Sequence, residues 1–252
     1  LATQVEKANL LSADEKFFRI SDFDINPNLS AQQIKEYADL IREYKDVFTE
    51  SLKASDKYRG PEKYALELTT DIPQRGPVFQ IPKCHEESFN NYMKTLLEND
   101  FIEPCASSEF DHGYICVRKK NSEKRWCSDM RHLNKVTVNN NYNLPRLDRI
   151  LNRLNGNSVF VGLDLVSCYT QFEIEESCRD YTAFTHPLTG RRFRYKRCFF
   201  GLKTMPAYVS YIMANCVFLN KNPSEFGVYI DDIGLGNNTH ENMIRNLRDT
   251  FE

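Results

Sequence analysis

Phe226-Gly227-Val228-Tyr229-Ile230-Asp231-Asp232-Ile233-Gly234-Leu235 decides how this chain reads. Two short apolar runs, 226–230 and 233–235, flank a pair of adjacent carboxylates, the pattern of two strands joined through Asp231-Asp232. Asp suits turns, so an ordinary surface hairpin is the plain alternative. A fully apolar strand seldom leads into an exposed turn, however, and adjacent carboxylates repel each other more strongly as burial increases. Hard oxygen ligands of this kind suit Mg²⁺, which would relieve that repulsion. Upstream, residues 158–165 (SVFVGLDL) read as a buried strand with Asp164 near its end. If that strand neighbours the hairpin, three carboxylates converge. Such a set can serve two Mg²⁺ ions in phosphoryl transfer, with Asp164 and Asp231 bridging them and Asp232 the lesser ligand.

The rest of the chain alternates helical and extended patterns. Residues 31–48 predict a helix with Ile34, Tyr37, Ala38, Ile41, Tyr44 and Phe48 on one stripe and Ser30 as N-cap. Residues 64–70 alternate as a strand, and Pro73, Pro77 and Pro82 hold an extended stretch after it. Residues 84–99 predict a helix that buries Phe89, Met93 and Leu96/Leu97. Strands at 113–117 and 124–128 flank the turn Asn121-Ser122-Glu123. A helix opened by Leu144-Pro145 and closed by 155–157 precedes the Asp164 strand. A hairpin turns at Thr189-Gly190, between 181–185 and 191–195. Residues 206–218 and 240–251 predict two more helices. The fold class is α+β, with helices on one face of a small antiparallel sheet.

Composition sets bounds without deciding function. Of 252 residues, 41% are hydrophobic and 27% charged, the profile of a globular chain with room for a core. A formal net charge of −2 gives no overall sign of a nucleic-acid binder, so distribution must carry the argument. Residues 118–135 hold seven Lys/Arg against two acids, and 190–203 hold six with none. Phosphate attraction suits both runs; for the second (Arg191, Arg192, Arg194, Lys196, Arg197), a merely solvated charged hairpin stands beside it. The eight cysteines show no C-x2-C or zinc spacing and read as reduced structural thiols. No apolar run reaches the roughly 18 residues a membrane helix needs.

Seven segments, in order, resemble the polymerases of gypsy-like long-terminal-repeat retrotransposons and retroviruses, the reverse transcriptases. FIEPCASS (101–108) resembles the family's IIEPS.SP, and VRKKNSEKRWCSDMRHLN (117–134) its VKKKDGS.R.C.DYR.LN. NLPRL (143–147) is similar to YPLPR, LDLVSCYTQ (163–171) to LDLRSGYHQ, and TAF (182–184) to KTAF. FFGLKTMPA (199–207) is similar to PFGL.NAP, and Tyr229-Ile230-Asp231-Asp232 to the catalytic Y-x-D-D. The resemblance covers about residues 60–250.

What the resemblance implies is specific. The activity is RNA-directed DNA polymerisation, adding dNTPs to a primer 3′-hydroxyl on an RNA or DNA template. Asp164, Asp231 and Asp232 match the metal carboxylates, with two Mg²⁺ per active site. Tyr169 matches the aromatic steric gate, whose ring disfavours a 2′-hydroxyl. Arg125 matches the arginine that forks the triphosphate, with Lys120 preferred over Lys119 as its companion. Leu165, Phe200 and Gly201 match the nucleotide pocket, and Arg131, Asn134 and Tyr229 the template–primer side. The expected layout is a right-hand polymerase without a thumb: a polyprotein linker (1–60), fingers (61–138 and 171–199) and palm (139–170 and 200–252). A protease upstream, thumb, RNase H and integrase downstream, and a cytoplasmic virus-like particle complete the expectation, with the isolated piece a poor polymerase. Departures from the family pattern leave the activity of this copy open: Cys168 for glycine, Thr170 for the frequent His, Cys198-Phe199 for Leu-Pro and Lys124 for Trp. A non-catalytic nucleic-acid-binding descendant and a cyclase-like two-metal nucleotidyltransferase are the alternatives. The second should lack Arg125 and the Phe-Gly motif.

Overall fold

A computed structural model of the chain describes residues 18, 20–118 and 124–252. The α-helices are α1 (Ala31–Glu43), α2 (Glu86–Glu98), α3 (Arg131–Val136), α4 (Leu147–Leu154), α5 (Glu176–Arg179), α6 (Met205–Ile212) and α7 (His240–Phe251). The strands are β1 (Ile102–Pro104), β2 (Tyr114–Arg118), β3 (Lys124–Ser128), β4 (Val159–Asp164), β5 (Phe184–Thr185), β6 (Arg192–Tyr195), β7 (Phe226–Tyr229) and β8 (Asp232–Asn237). The architecture is α+β with antiparallel sheets backed by helices, and it divides into two compact units.

The first unit joins the described residues up to Glu50 with Arg146–Asp164 and Asn220–Glu252. Its sheet runs β4-β8-β7, all antiparallel. Strand alternation splits the side chains between two faces. Phe226, Ile233 and Leu235 are buried on one, where α7 packs with buried Met243 and Leu247 and Asn246 Nδ2 donates to Asn237 Oδ1 at 3.2 Å. The other carries Phe160, Gly162 and Asp164 on β4, all exposed. At the β7 edge of that face lies α4, where a Cβ on Gly227 would meet Ile150 Cγ2 at 2.4 Å. The two helices therefore lie on opposite faces, not on one as the pattern suggested, and β4, expected as a buried strand, has one half-buried and one exposed face. An acid-bearing strand cannot bury both faces when one must reach solvent.

Helix α1 begins where expected. Ser30 accepts from Gln33 N while the Gln33 side chain accepts from Ser30 N, a reciprocal capping box that contributes about 1 kcal/mol. It ends at Glu43, short of the predicted 48, and a 3₁₀ turn follows. Tyr37 Oη meets His240 Nδ1 at 3.1 Å and Tyr44 Oη donates to Glu252 at 3.0 Å, tying α1 to α7.

The second unit comprises Ser51–Pro145 and Leu165–Leu219. It holds the sheet β1-β6-β5 and the ribbon β2-β3. Its core is aromatic: Phe89 of α2 stacks edge-on against Tyr114 and Trp126, with ring centroids 5.2 and 5.0 Å away. Inside, Tyr195 Oη bonds Tyr114 Oη at 2.6 Å and Ser128 Oγ at 2.7 Å, so the buried hydroxyls satisfy one another. The predicted helix at 206–218 is α6 followed by a π turn, Met213–Val217. The predicted strand at 64–70 is not continuous: only Tyr64 and Leu68 make isolated bridges, to Ile174 and Thr137. The turn 121–123 lies outside the described residues. Among the described residues no helix is long and apolar enough to cross a membrane, and none of the eight cysteines is in a disulfide.

Candidate active site

The acids come together in the first unit. β4 and β8 pair in a register that sets Asp164 opposite Asp232, and β7 sets Tyr229 opposite Asp232 on the other side. Directly opposed residues of an antiparallel pair have Cα atoms about 4.5–5.5 Å apart and side chains on one face. Asp164, Asp232 and Tyr229 thus form one row across the sheet, and Gly162, Gly234 and Gly227 form the next. A Cβ on Gly162 would meet nothing within 4 Å, so the floor beside Asp164 is bare.

Asp231 stands in the two-residue loop between β7 and β8. The first loop residue, Ile230, has φ 60°, a left-handed conformation that two-residue hairpins ordinarily give to glycine at this place. A β-branched residue there costs on the order of 1–3 kcal/mol. The strain is localised at the residue that presents Asp231.

The electrostatics agree with crowding. Burial first, then the charges of Asp231 and Asp232, push the Asp164 carboxyl above its ordinary value. Among the described residues none of the three carboxylates has a Lys or Arg ion-pair partner. Nor do the described residues include a group of three or more His, Cys, Asp or Glu drawn close enough to hold a metal as they stand. The donor chemistry nonetheless fits a hard divalent cation: the side chains are mutually repelling carboxylates, with no ion-pairing Lys or Arg among the described residues.

Of the residues expected on the nucleotide side, Arg125, Tyr169 and Phe200 come together in the second unit. Tyr169 sits in the 3₁₀ turn Cys168–Gln171, entered through Ser167, whose φ of 46° is also left-handed. The Tyr169 and Phe200 rings lie 5.0 Å apart, and the Arg125 guanidinium lies 4.9 Å from the Phe200 centroid. Phe200 is 43% exposed, so this cation–aromatic group faces solvent. Gly201 has φ 109°, which only glycine adopts readily. Leu165 is half-buried. Lys119 and Lys120 lie outside the described residues.

Two predicted contacts are engaged within the protein. Arg131 forks the buried Asp129 carboxylate at 2.8 and 2.6 Å, holding that acid below its usual range. Asn134 Nδ2 donates to Gly201 O at 2.6 Å while its Oδ1 accepts from Lys203 N at 2.9 Å. Both polar atoms of that amide clamp the Phe200-Gly201 turn. Most of the second basic run is likewise internal. Arg192 donates to Ser108 O and Phe110 O, Arg194 pairs with Glu103 and Asp180, and Lys196 pairs with Asp100. Arg197 is buried. Only a structure reveals these partners, because they come from carboxylates 14–96 positions away in the sequence or from backbone carbonyls.

Comparison with known proteins places these features in a family. Residues 117–252 match the family model described as reverse transcriptase (RNA-dependent DNA polymerase). The retrovirus-related Pol polyprotein from transposon 412 of Drosophila melanogaster is 29% identical over 89% of this chain, which spans 18% of that polyprotein. The enzymatic polyprotein of figwort mosaic virus (strain DxS) is 25% identical over 94% of this chain and 34% of its own length. Among solved structures, a foamy viral protease-reverse transcriptase in complex with an RNA/DNA hybrid superposes with a TM-score of 0.77. It is 20% identical, covering 92% of this chain and 30% of that one, and shows the shared fold.

Proposed function

The chain belongs to the reverse transcriptase (RNA-dependent DNA polymerase) family, and from that premise we propose that it is the catalytic part of an RNA-directed DNA polymerase encoded in a retroelement polyprotein. The observation that carries the reading is the row of Asp164 and Asp232 beside the Asp231 loop, on an exposed, glycine-floored sheet face where no Lys or Arg among the described residues pairs with them. Asp164 and Asp231, with Asp232 as the lesser ligand, would hold Mg²⁺. When bound, Mg²⁺ supplies charge neutralisation for the triphosphate and acidifies the primer 3′-hydroxyl. The strained Ile230 loop fixes where Asp231 is presented, so little reorganisation is needed on binding.

The other residues take the roles that their chemistry suits. The Arg125 guanidinium forks phosphate oxygens, with Lys120 or Lys119 as a second cation. Tyr169 is a rigid wall beside the sugar and disfavours an added 2′-hydroxyl. Leu165, Phe200 and Gly201 shape the nucleotide pocket. Tyr229 faces the primer, while Arg131 and Asn134 act on the template side, Asn134 also holding the turn that carries Phe200. In this reading residues 61–138 and 171–199 are fingers, 139–170 and 200–252 palm, and 1–60 a linker. Template–primer and dNTPs are the partners, alongside the neighbouring polyprotein domains, in a cytoplasmic particle.

Primer extension on an RNA template by the full-length polymerase, with Mg²⁺, tests the reading. The wild type should add dNTPs, and Asp231→Asn should not while still binding primer–template. Normal binding with no extension by the wild type would favour the non-catalytic alternative instead.

A further inference from the structure

Arg197 is the least explained of the basic residues. It is 3% exposed, yet among the described residues no carboxylate forms an ion pair with it. The hydrogen-bond partners of its guanidinium are backbone carbonyls of two separate segments. Nη2 donates to Ala54 O at 2.6 Å, and Nη1 points at Thr170 O and Gln171 O at 3.3 and 3.5 Å. Thr170 and Gln171 are the two residues after Tyr169, in the same 3₁₀ turn. A buried guanidinium loses hydration, and it is retained where its fork meets several acceptors in fixed positions.

Ala54 belongs to a strap that follows the same course. Tyr58 N donates to Gln171 O at 2.9 Å, Lys57 Nζ pairs with Glu173 at 2.8 Å, and Tyr64 N donates to Glu173 O at 2.9 Å. From the opposite side, Cys198 N donates to Phe172 O at 2.9 Å and Ile174 N to Lys196 O at 2.8 Å. The segment leaving Tyr169 is therefore held between the strap and the stretch before Phe200, with Arg197 reaching both. That stretch leads directly to the Phe200 ring on which Tyr169 leans.

We propose that Arg197, together with the strap 54–64, is a positioning device for the Tyr169 turn, and that it sets how strictly the polymerase excludes ribonucleotides. The sugar selectivity rests on the polymerase reading above; the positioning of the turn does not. The residues before position 60, expected to be only a linker, thereby help to hold the Tyr169 turn. Arginine suits the task because one planar group addresses both segments, which a lysine ammonium cannot match in direction.

The test uses the full-length polymerase and three variants: Arg197→Met, Arg197→Lys and Lys57→Met. Efficiency is measured for a dNTP and the matching rNTP, and amide hydrogen exchange is followed across residues 168–174. The expected result is a loss of about tenfold or more in dNTP-over-rNTP preference for Arg197→Met, chiefly through a lower KM for the rNTP, with partial recovery in Arg197→Lys. Thr170 and Phe172 amides should exchange faster in both Arg197 variants and in Lys57→Met, while the Met243 amide stays unchanged. Equal losses for both sugars, or unchanged exchange at Thr170 and Phe172, overturn the proposal. If Arg197→Met does not fold, Arg197→Lys and Lys57→Met decide it by the same two readouts. A wild type that makes no DNA overturns the polymerase reading, and the exchange data then judge the positioning by themselves.

Discussion

Ile230 occupies a backbone region that a β-branched side chain normally avoids, at the residue next to Asp231. Replacing it by glycine should relieve about 1–3 kcal/mol of strain, visible as a rise of a few degrees in Tm. The same change should slow single-turnover extension, because Asp231 loses its fixed presentation. An unchanged Tm would mean the loop is not strained. Asp164 invites a second substitution. Its carboxyl is raised above the ordinary value, so the folded chain binds that proton more readily than the unfolded one, and ionisation at neutral pH weighs against folding. Asp164→Asn should therefore melt higher than the wild type at pH 7, and the gap should close as pH falls below the ordinary carboxylate range. Extension should fall by roughly three orders of magnitude or more, the scale of a lost transition-state charge interaction of several kcal/mol. The identity of these residues was legible from the sequence through spacing and resemblance. Their backbone conformations were not, since nothing in Tyr-Ile-Asp-Asp announces a positive φ at isoleucine.

At the scale of elements, the glycines of the β4-β8-β7 sheet make the sharpest contrast. A Cβ at Gly227 would lie 2.4 Å from Ile150 of α4, whereas one at Gly162 would meet nothing within 4 Å. Gly227→Ala should cost about 1–3 kcal/mol by overpacking, and Gly162→Ala should leave stability equal or slightly higher. Urea denaturation of both variants checks this, and equal losses would refute the assigned packing of α4. The hairpin 226–235 and the ribbon β2-β3 were readable because short strand-like runs flank residues suited to turns there. Residues 64–70 misled because they alternate like a strand yet find only two isolated bridges, at Tyr64 and Leu68. The basic run 190–203 misled in another way. Its charges suggested phosphate, but Arg192, Arg194 and Lys196 are taken up by Glu103, Asp180, Asp100 and backbone carbonyls within the second unit. Charge patterns reveal sign and density; they do not reveal which partners the fold brings in.

At the scale of the whole chain, stability should fall with acidification in a way that can be assigned. His112 is fully buried; its Nε2 donates to Tyr181 O at 2.9 Å and its Nδ1 has no hydrogen-bond partner among the described residues. Burial lowers its pKa, as does His132, while the Tyr181 carbonyl, Asp111 and Asp129 act the other way. The unfolded chain then binds the proton more readily than the folded one. Stability is full above the ordinary histidine value of 6.5 and is lost as pH falls from there toward the lowered folded value. His112→Gln should flatten the decline in melting temperature between about pH 7 and 5 relative to the wild type; a parallel decline would assign it elsewhere. The central claim, that Asp164, Asp231 and Asp232 form a metal-dependent polymerising centre, is tested most directly by anomalous scattering. The crystal should contain the full-length polymerase with primer–template, Mn²⁺ and a non-reactive dNTP analogue. The account predicts Mn²⁺ peaks coordinated by the Asp164 and Asp231 carboxylates, lost in Asp231→Asn. Nucleotide and primer bound with no Mn²⁺ at those carboxylates would contradict it.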